Sequence, residues 1–253
     1  MRRQMISRFF VALVYFFVIA PTEAAVMTFE SGRLQVKLLE LFTSQSCSSC
    51  PPADDWLSKV GRYHHGSFVS FVPIAFHVDY WNDLGWQDIF SSPEYSLRQR
   101  RLVKTWKRPS VYTPSVMLNG QELKGYSIPL PSNIKVGKLS VKINPDRKIS
   151  VSFYPEDKAK HDYHVNIALL VMNARHKIES GENKGKTLVH DFAACDLKKK
   201  RLKRRSARLY VGTFLGIQCQ RNRFRQLPKA FASWVEKSGS LVPVQATGGI
   251  LKN

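Results

Sequence analysis

Cys47 and Cys50, separated by two serines, are the residues of this chain best suited to chemistry. Two thiols at that spacing can close a small disulfide ring. An apolar, strand-like run, Leu34–Phe42, leads into them, and a helix-like segment, Ala53–Val60, follows. Thiols where a strand hands over to a helix lie near N–H groups that stabilise a thiolate. The pattern points to thiol–disulfide exchange, with Cys47 as the exposed nucleophile and Cys50, one turn in, as the resolving thiol. The opposing reading is a permanently closed structural bond. The Ser48-Ser49 spacer does not distinguish oxidation, reduction and isomerisation. Such chemistry needs no cofactor, and its partners would be protein thiols or disulfides.

Other residues could border this pair. Glu40 sits on the preceding strand and could relay a proton. His77 and Asp79 alternate at the end of a second strand, Phe68–Phe76, and so share a face. With the two cysteines they could form a soft-metal site for an ion such as Cu(I). They could equally be a hydrogen-bonded pair among Tyr80, Trp81 and Trp86 that tunes the Cys47 thiol. No metal is assigned: His64, His65, His161, His164, His176 and His190 show no ligand spacing. Gly181–Thr187 ends like a phosphate-binding loop but lacks its first glycine, Ser180 standing there, and reads as a hairpin turn. Cys195 and Cys219 are left as an even pair, most simply a disulfide. Closing the loop of about 25 residues would contribute about 3–4 kcal/mol in the chain-entropy model.

The N-terminus sets the compartment. Arg2, Arg3 and Arg8 precede the uncharged run Phe9–Ala20, followed by Pro21-Thr22-Glu23-Ala24-Ala25. This pattern predicts a signal peptide over residues 1–24 and an exported, periplasmic or secreted chain with no transmembrane segment once processed. An uncleaved anchor is the competing reading. The net charge of +20 is concentrated locally. Residues 198–229 carry twelve Lys or Arg and no acid, and residues 98–108 carry six and no acid. Export argues against nucleic acid as the partner. An anionic surface or a solvated loop extension then accounts for the first segment. The second reads as a helix, with Tyr95, Gln99, Leu102, Val103 and Trp106 on one stripe and cations opposite.

These elements are expected to form an α/β fold. The order strand, CxxC helix, strand, basic helix, Val111–Leu118 strand, Asn119-Gly120 turn and return strand is that of a thioredoxin-like domain over residues 25–137. In that fold Pro114, after Thr113, adopts a cis bond and shapes the groove at the CxxC. Pro73 within the second strand argues for an edge or bulge. From residue 138 to 253 the texture is strand-like, with runs at Leu139–Ile143, Lys148–Phe153, Val165–Val171 and Leu241–Gln245. This predicts a mostly β, sandwich-like domain with a basic insertion at about 196–229.

Several motifs resemble a known family. They are Glu40–Asp54, Phe76–Trp81, Leu84-Gly85-Trp86, Arg98-Gln99-Arg100, Tyr112-Thr113-Pro114, Asn119-Gly120 and Gly181-Glu182-Asn183. Together they resemble the secreted, thioredoxin-like "domain of unknown function 1223" proteins. Ser46 stands where that family usually has glycine, and the region around 196–229 looks foreign to the pattern. The resemblance implies export and a thioredoxin-like fold, but no established reaction. A non-catalytic envelope interaction protein is therefore a further alternative.

Overall fold

A computed structural model describes residues 26–62, 68–105, 110–219 and 228–251. The leader over 1–24, His64, His65 and the Trp106–Arg108 end of the basic helix lie outside the described residues. In chain order the elements are β1 (Met27–Glu30), β2 (Lys37–Thr43), α1 (Pro51–Arg62), β3 (Phe71–His77), α2 (Pro93–Thr105), β4 (Ser115–Leu118) and β5 (Gln121–Glu122). Then follow β6 (Gly137–Ile143), β7 (Ile149–Pro155), β8 (Tyr163–Val171), β9 (Ala174–Lys177), β10 (Thr187–His190), β11 (Ala193–Arg201), β12 (Lys203–Ser206), β13 (Leu209–Phe214), β14 (Ala230–Lys237) and β15 (Pro243–Ile250).

The α/β, thioredoxin-like expectation is overturned. The described residues are 44% strand and 13% helix, with two α-helices, and large sheets dominate. The local order β2–α1–β3–α2–β4–β5 is present, but it does not close a sheet of its own. The eight-stranded sheet runs β15-β14-β8-β11-β3-β2-β4-β5, so strands from the C-terminal half continue it. A five-stranded sheet, β1-β6-β7-β13-β12, packs on it, and β9 and β10 form a separate hairpin.

The join between the halves is narrow. β3 runs parallel to β2 over its whole length but meets β11 only at Ala75–Ala193. The Ala75 N–H donates to the Phe192 carbonyl at 2.8 Å. Pro73 is two residues earlier, so its missing N–H falls on that same sparsely paired side. The sheet also curls back on itself, bringing Trp234 of β14 to 6.4 Å from Phe76 of β3.

Strand periodicity divides the interior into two cores. Val165, Ile167, Leu169 and Val171 of β8 face the five-stranded sheet, with Leu139 and Val141 of β6 and Val151 and Phe153 of β7. Ala168 and Leu170 face the other way, toward β2, β3 and the helices. A strand buried on both faces reads as a near-continuous apolar run, as Val165–Val171 does with Asn166 its one polar residue. β6 and β7, buried on one face, alternate instead. The Asn119-Gly120 turn is as read: both residues have positive φ, 53° and 80°, and join β4 to β5. That conformation suits the twist of a tight hairpin and favours Asn-Gly.

The basic run is corrected too. Lys198–Arg201 is not a loop extension but the end of β11, paired with Ile167–His164 of β8, and Lys203–Ser206 forms β12. Their side chains alternate between the two faces, Lys199 reaching Glu236 and Lys200 the Thr213 carbonyl, while the backbone completes the ladder.

Candidate functional site

The loop from Ser44 to Cys50 leaves β2 and turns into α1. Pro51 and Pro52 open the helix, where their missing N–H groups leave no bond unmade. Cys47 and Cys50 are disulfide-bonded, with Cα atoms 5.4 Å apart. Ser48 and Ser49 are exposed, but the cysteines are 1% and 0% exposed.

What covers them comes from far along the chain. The turn between β9 and β10 places Asn183 against the cysteine loop, and its Nδ2 donates to the Gln45 and Cys47 carbonyls, both at 2.9 Å. Lys186 Nζ donates to Asn183 Oδ1, which fixes the amide's orientation. The Ser48 N–H donates to Glu182 Oε2 at 2.8 Å, and this holds the Glu182 carboxyl below its ordinary pKa. Gly181 has φ +74° and lies against Trp86, where an added Cβ would come within 3.3 Å of the Trp86 Cβ. Trp86 Nε1 in turn donates to Gln45 Oε1, and Ser46 Oγ donates to the Trp86 carbonyl. The segment read as a hairpin turn is therefore a cap over the CxxC.

A second constellation lies where β3, α1 and β10 meet. Asp54, His77 and His190 are all buried, and one ligating atom from each lies within 4.8 Å of the others. The His77 Nδ1 shares a 2.6 Å hydrogen bond with Asp88 Oδ2. Asp88 also accepts from the Gln45 and Phe90 N–H groups. Burial would raise the Asp88 pKa, but His77, His190 and the Gln45 N–H outweigh it and carry it down. Thr43 Oγ1 donates to Asp54 Oδ2, leaving Oδ1 facing His190 Nδ1 at 3.7 Å. Burial pushes the His190 pKa down, yet Asp54, Asp88 and Asp191 together raise it above the ordinary value. The His77 and His190 rings meet edge to face, with centroids 4.7 Å apart. His176 reaches the same region across Phe90; burial lowers its pKa.

The remaining predicted residues are placed elsewhere. Glu40 is fully buried and accepts from Arg98 Nε at 2.5 Å, and burial raises its pKa. Arg98 Nη1 also donates to Glu236, which accepts further from Lys199 Nζ and Trp234 Nε1. Asp79 pairs with Ser96, not with His77. Thr113 Oγ1 accepts from Trp81 Nε1 at 2.8 Å, and the Thr113–Pro114 bond is cis. The β2–β4 register ends at Phe42–Ser115, one residue short of Thr43 and Pro114. Cys195 and Cys219 lie within disulfide reach, with Cα atoms 5.2 Å apart. Sequence reasoning missed Asp54, Asp88, Arg98 as the partner of Glu40, and the capping roles of Glu182 and Asn183. It also left His190 without a role. No local spacing signals these, because each partner comes from a different element.

Two solved structures resemble this fold. Protein AGR_C_4864 from Agrobacterium tumefaciens aligns with TM-score 0.61 and 22% identity, covering 88% of this chain and 97% of that one. HBP35 of Porphyromonas gingivalis aligns with TM-score 0.54 and 13% identity, covering 86% and 76%. At these identities the likeness is one of fold. None of the curated proteins matches the chain significantly. A model of a protein family of unknown function, DUF1223, matches residues 38–209, from the first residues of β2 through both constellations to the start of β13. The chain belongs to the DUF1223 family.

Proposed function

We propose that this chain is an exported thiol–disulfide exchange protein whose reactive bond, Cys47–Cys50, is sheltered by the β9–β10 turn. The observation that carries the reading is the construction of that shelter. Asn183 and Glu182 bind the backbone of the cysteine loop from a separate hairpin, so the cover is removable without unwinding α1. A structural disulfide inside a packed core needs no such dedicated lid.

With the turn lifted, a partner thiolate attacks the Cys47 sulfur and a mixed disulfide forms. The Cys47–Cys50 bond breaks, and Cys50 leaves with its electron pair as a thiolate beside the start of α1. A second thiolate of the partner then attacks the partner's own sulfur and releases Cys47 as a thiolate. The partner dithiol has become a disulfide, and the chain's disulfide has become a dithiol. The reverse sequence reduces a partner disulfide. The leader-like start, Arg2 to Ala25, supports an oxidising compartment as the working place. The exposed cations of β11 and β12 would favour anionic surfaces there.

Equilibration with glutathione buffers of graded ratio tests the reading. Wild-type protein should interconvert between oxidised and reduced forms, Cys47→Ser should react with neither, and Cys50→Ser should accumulate a glutathione adduct on Cys47. A pair that stays oxidised in every glutathione buffer, with Cys47→Ser losing only thermal stability, would sink it.

A further inference from the structure

We infer that Asp54, His77 and His190 form a binding site for one divalent transition-metal ion of the zinc class. Of the ten buried side-chain polar atoms without a hydrogen-bond partner among the described residues, three belong to this group: His77 Nε2, His190 Nδ1 and His190 Nε2. A buried imidazole nitrogen without a partner loses about 1–3 kcal/mol relative to water. His190 has both nitrogens in that state although a carboxylate oxygen sits only 3.7 Å away. That gap is too long for a hydrogen bond. It does suit two ligands of one ion: atoms each about 2.1 Å from a tetrahedral centre stand about 3.4 Å apart.

The surroundings orient each ligand toward the shared space. Asp88 accepts the Nδ1 proton of His77, which leaves the Nε2 lone pair free to coordinate. A carboxylate behind the far nitrogen of a histidine is the usual outer support of such a ligand. Thr43 holds Asp54 by Oδ2 and leaves Oδ1 for the centre. Asp191, beside His190, is anchored by Arg62 and the Asn173 N–H, which fixes the end of β10. Two imidazoles and one carboxylate suit borderline divalent ions rather than calcium or magnesium, which take all-oxygen sets, or Cu(I), which takes thiolates. The cysteines are not members of this group, so the site does not depend on the exchange chemistry proposed above.

The test uses the full, disulfide-intact chain, stripped with a chelator and titrated with Co(II) and then Zn(II). One equivalent of Co(II) should bind with visible d–d absorption, and Zn(II) should displace it, with one zinc per chain by elemental analysis. Asp54→Asn and His190→Gln, which keep side-chain size, should each weaken zinc binding at least about 100-fold, beyond the 10–100-fold typical of outer-shell changes. Cys47→Ser/Cys50→Ser should bind zinc as wild type does. Failure of wild-type protein to retain either ion would overturn the site, as would undiminished binding by Asp54→Asn. Loss of binding only in the double cysteine variant would overturn it as well. The wild-type titration decides the matter even where a variant folds poorly.

Discussion

Two buried polar clusters lie on the same sheet, and they treat their charges in opposite ways. Around Arg98, burial is answered by countercharge: Glu40 and Glu236 flank the guanidinium, Lys199 and Trp234 complete Glu236, and the Trp234 ring lies 5.1 Å from the guanidinium carbon. Around His190, burial leaves ring nitrogens without partners and a carboxylate at an unbonded distance. The first cluster ties α2 to β2 and β14 across the curl of the sheet, a mechanical role. The second is held open by outer hydrogen bonds to Asp88 and Thr43, an arrangement suited to receiving a cation. Depth alone does not separate the two clusters, and neither does unmet hydrogen bonding, since Glu40 Oε2 and Arg98 Nη2 also lack partners. What differs is that the Arg98 groups contact opposite charges directly, whereas His190 and Asp54 stand apart.

The sharpest way to break this comparison is Arg98→Leu. It strands two buried carboxylates, and removing one partner of a buried ion network costs about 3–5 kcal/mol. Urea unfolding should register a loss of that size, and a change below about 1 kcal/mol would remove the mechanical role. Zinc supplies the next contrast. At a free concentration 100 times its dissociation constant it should stabilise the wild type by about 2.7 kcal/mol. Asp54→Asn should show no such gain, and Arg98→Leu should keep it. Thermal unfolding with and without zinc distinguishes the two.

A smaller effect belongs to the cap. Asn183→Ala removes two hydrogen bonds to buried carbonyls and should cost about 1–3 kcal/mol. Reduction of Cys47–Cys50 by a phosphine should also accelerate. Unchanged reduction kinetics would mean that the β9–β10 turn does not gate the disulfide. The smallest effect is that of pH on Glu182. Its pKa is lowered in the folded state, so the cap's contribution is full above the ordinary value of 4.5 and is lost as pH falls through the lower folded value. Phosphine reduction of wild type should approach the faster rate of Glu182→Gln in acid and fall below it at neutral pH. Equal rates for the two proteins at every pH would discard the Glu182 contact as a lid element.

Much of the local structure was legible. The strand before the CxxC, α1 after it, the apolar stripe of α2 and the Asn119-Gly120 hairpin all follow from rules acting within a few residues. The strand-like runs that became β6, β7 and β8 were legible too, though not how many faces each strand buries. Reading the early βαβ order as an α/β domain failed for a long-range reason. Nothing within residues 30–123 reveals that the free edge of β3 will accept β11, and through it β8, β14 and β15, by a bridge at one alanine pair. β11 was missed because its charged side chains conceal a backbone that pairs as well as any other.

By itself, then, the chain determined its short-range vocabulary: which segments extend, which coil, where turns need positive φ, and that two thiols precede a helix. Tertiary structure alone decided the partners. Asp88 stands behind His77, His190 arrives from a distant hairpin beside Asp54, and Asn183 closes over Cys47. Propensity and periodicity act over one or two turns, whereas these contacts depend on which sheet edges meet and how the joined sheet curls.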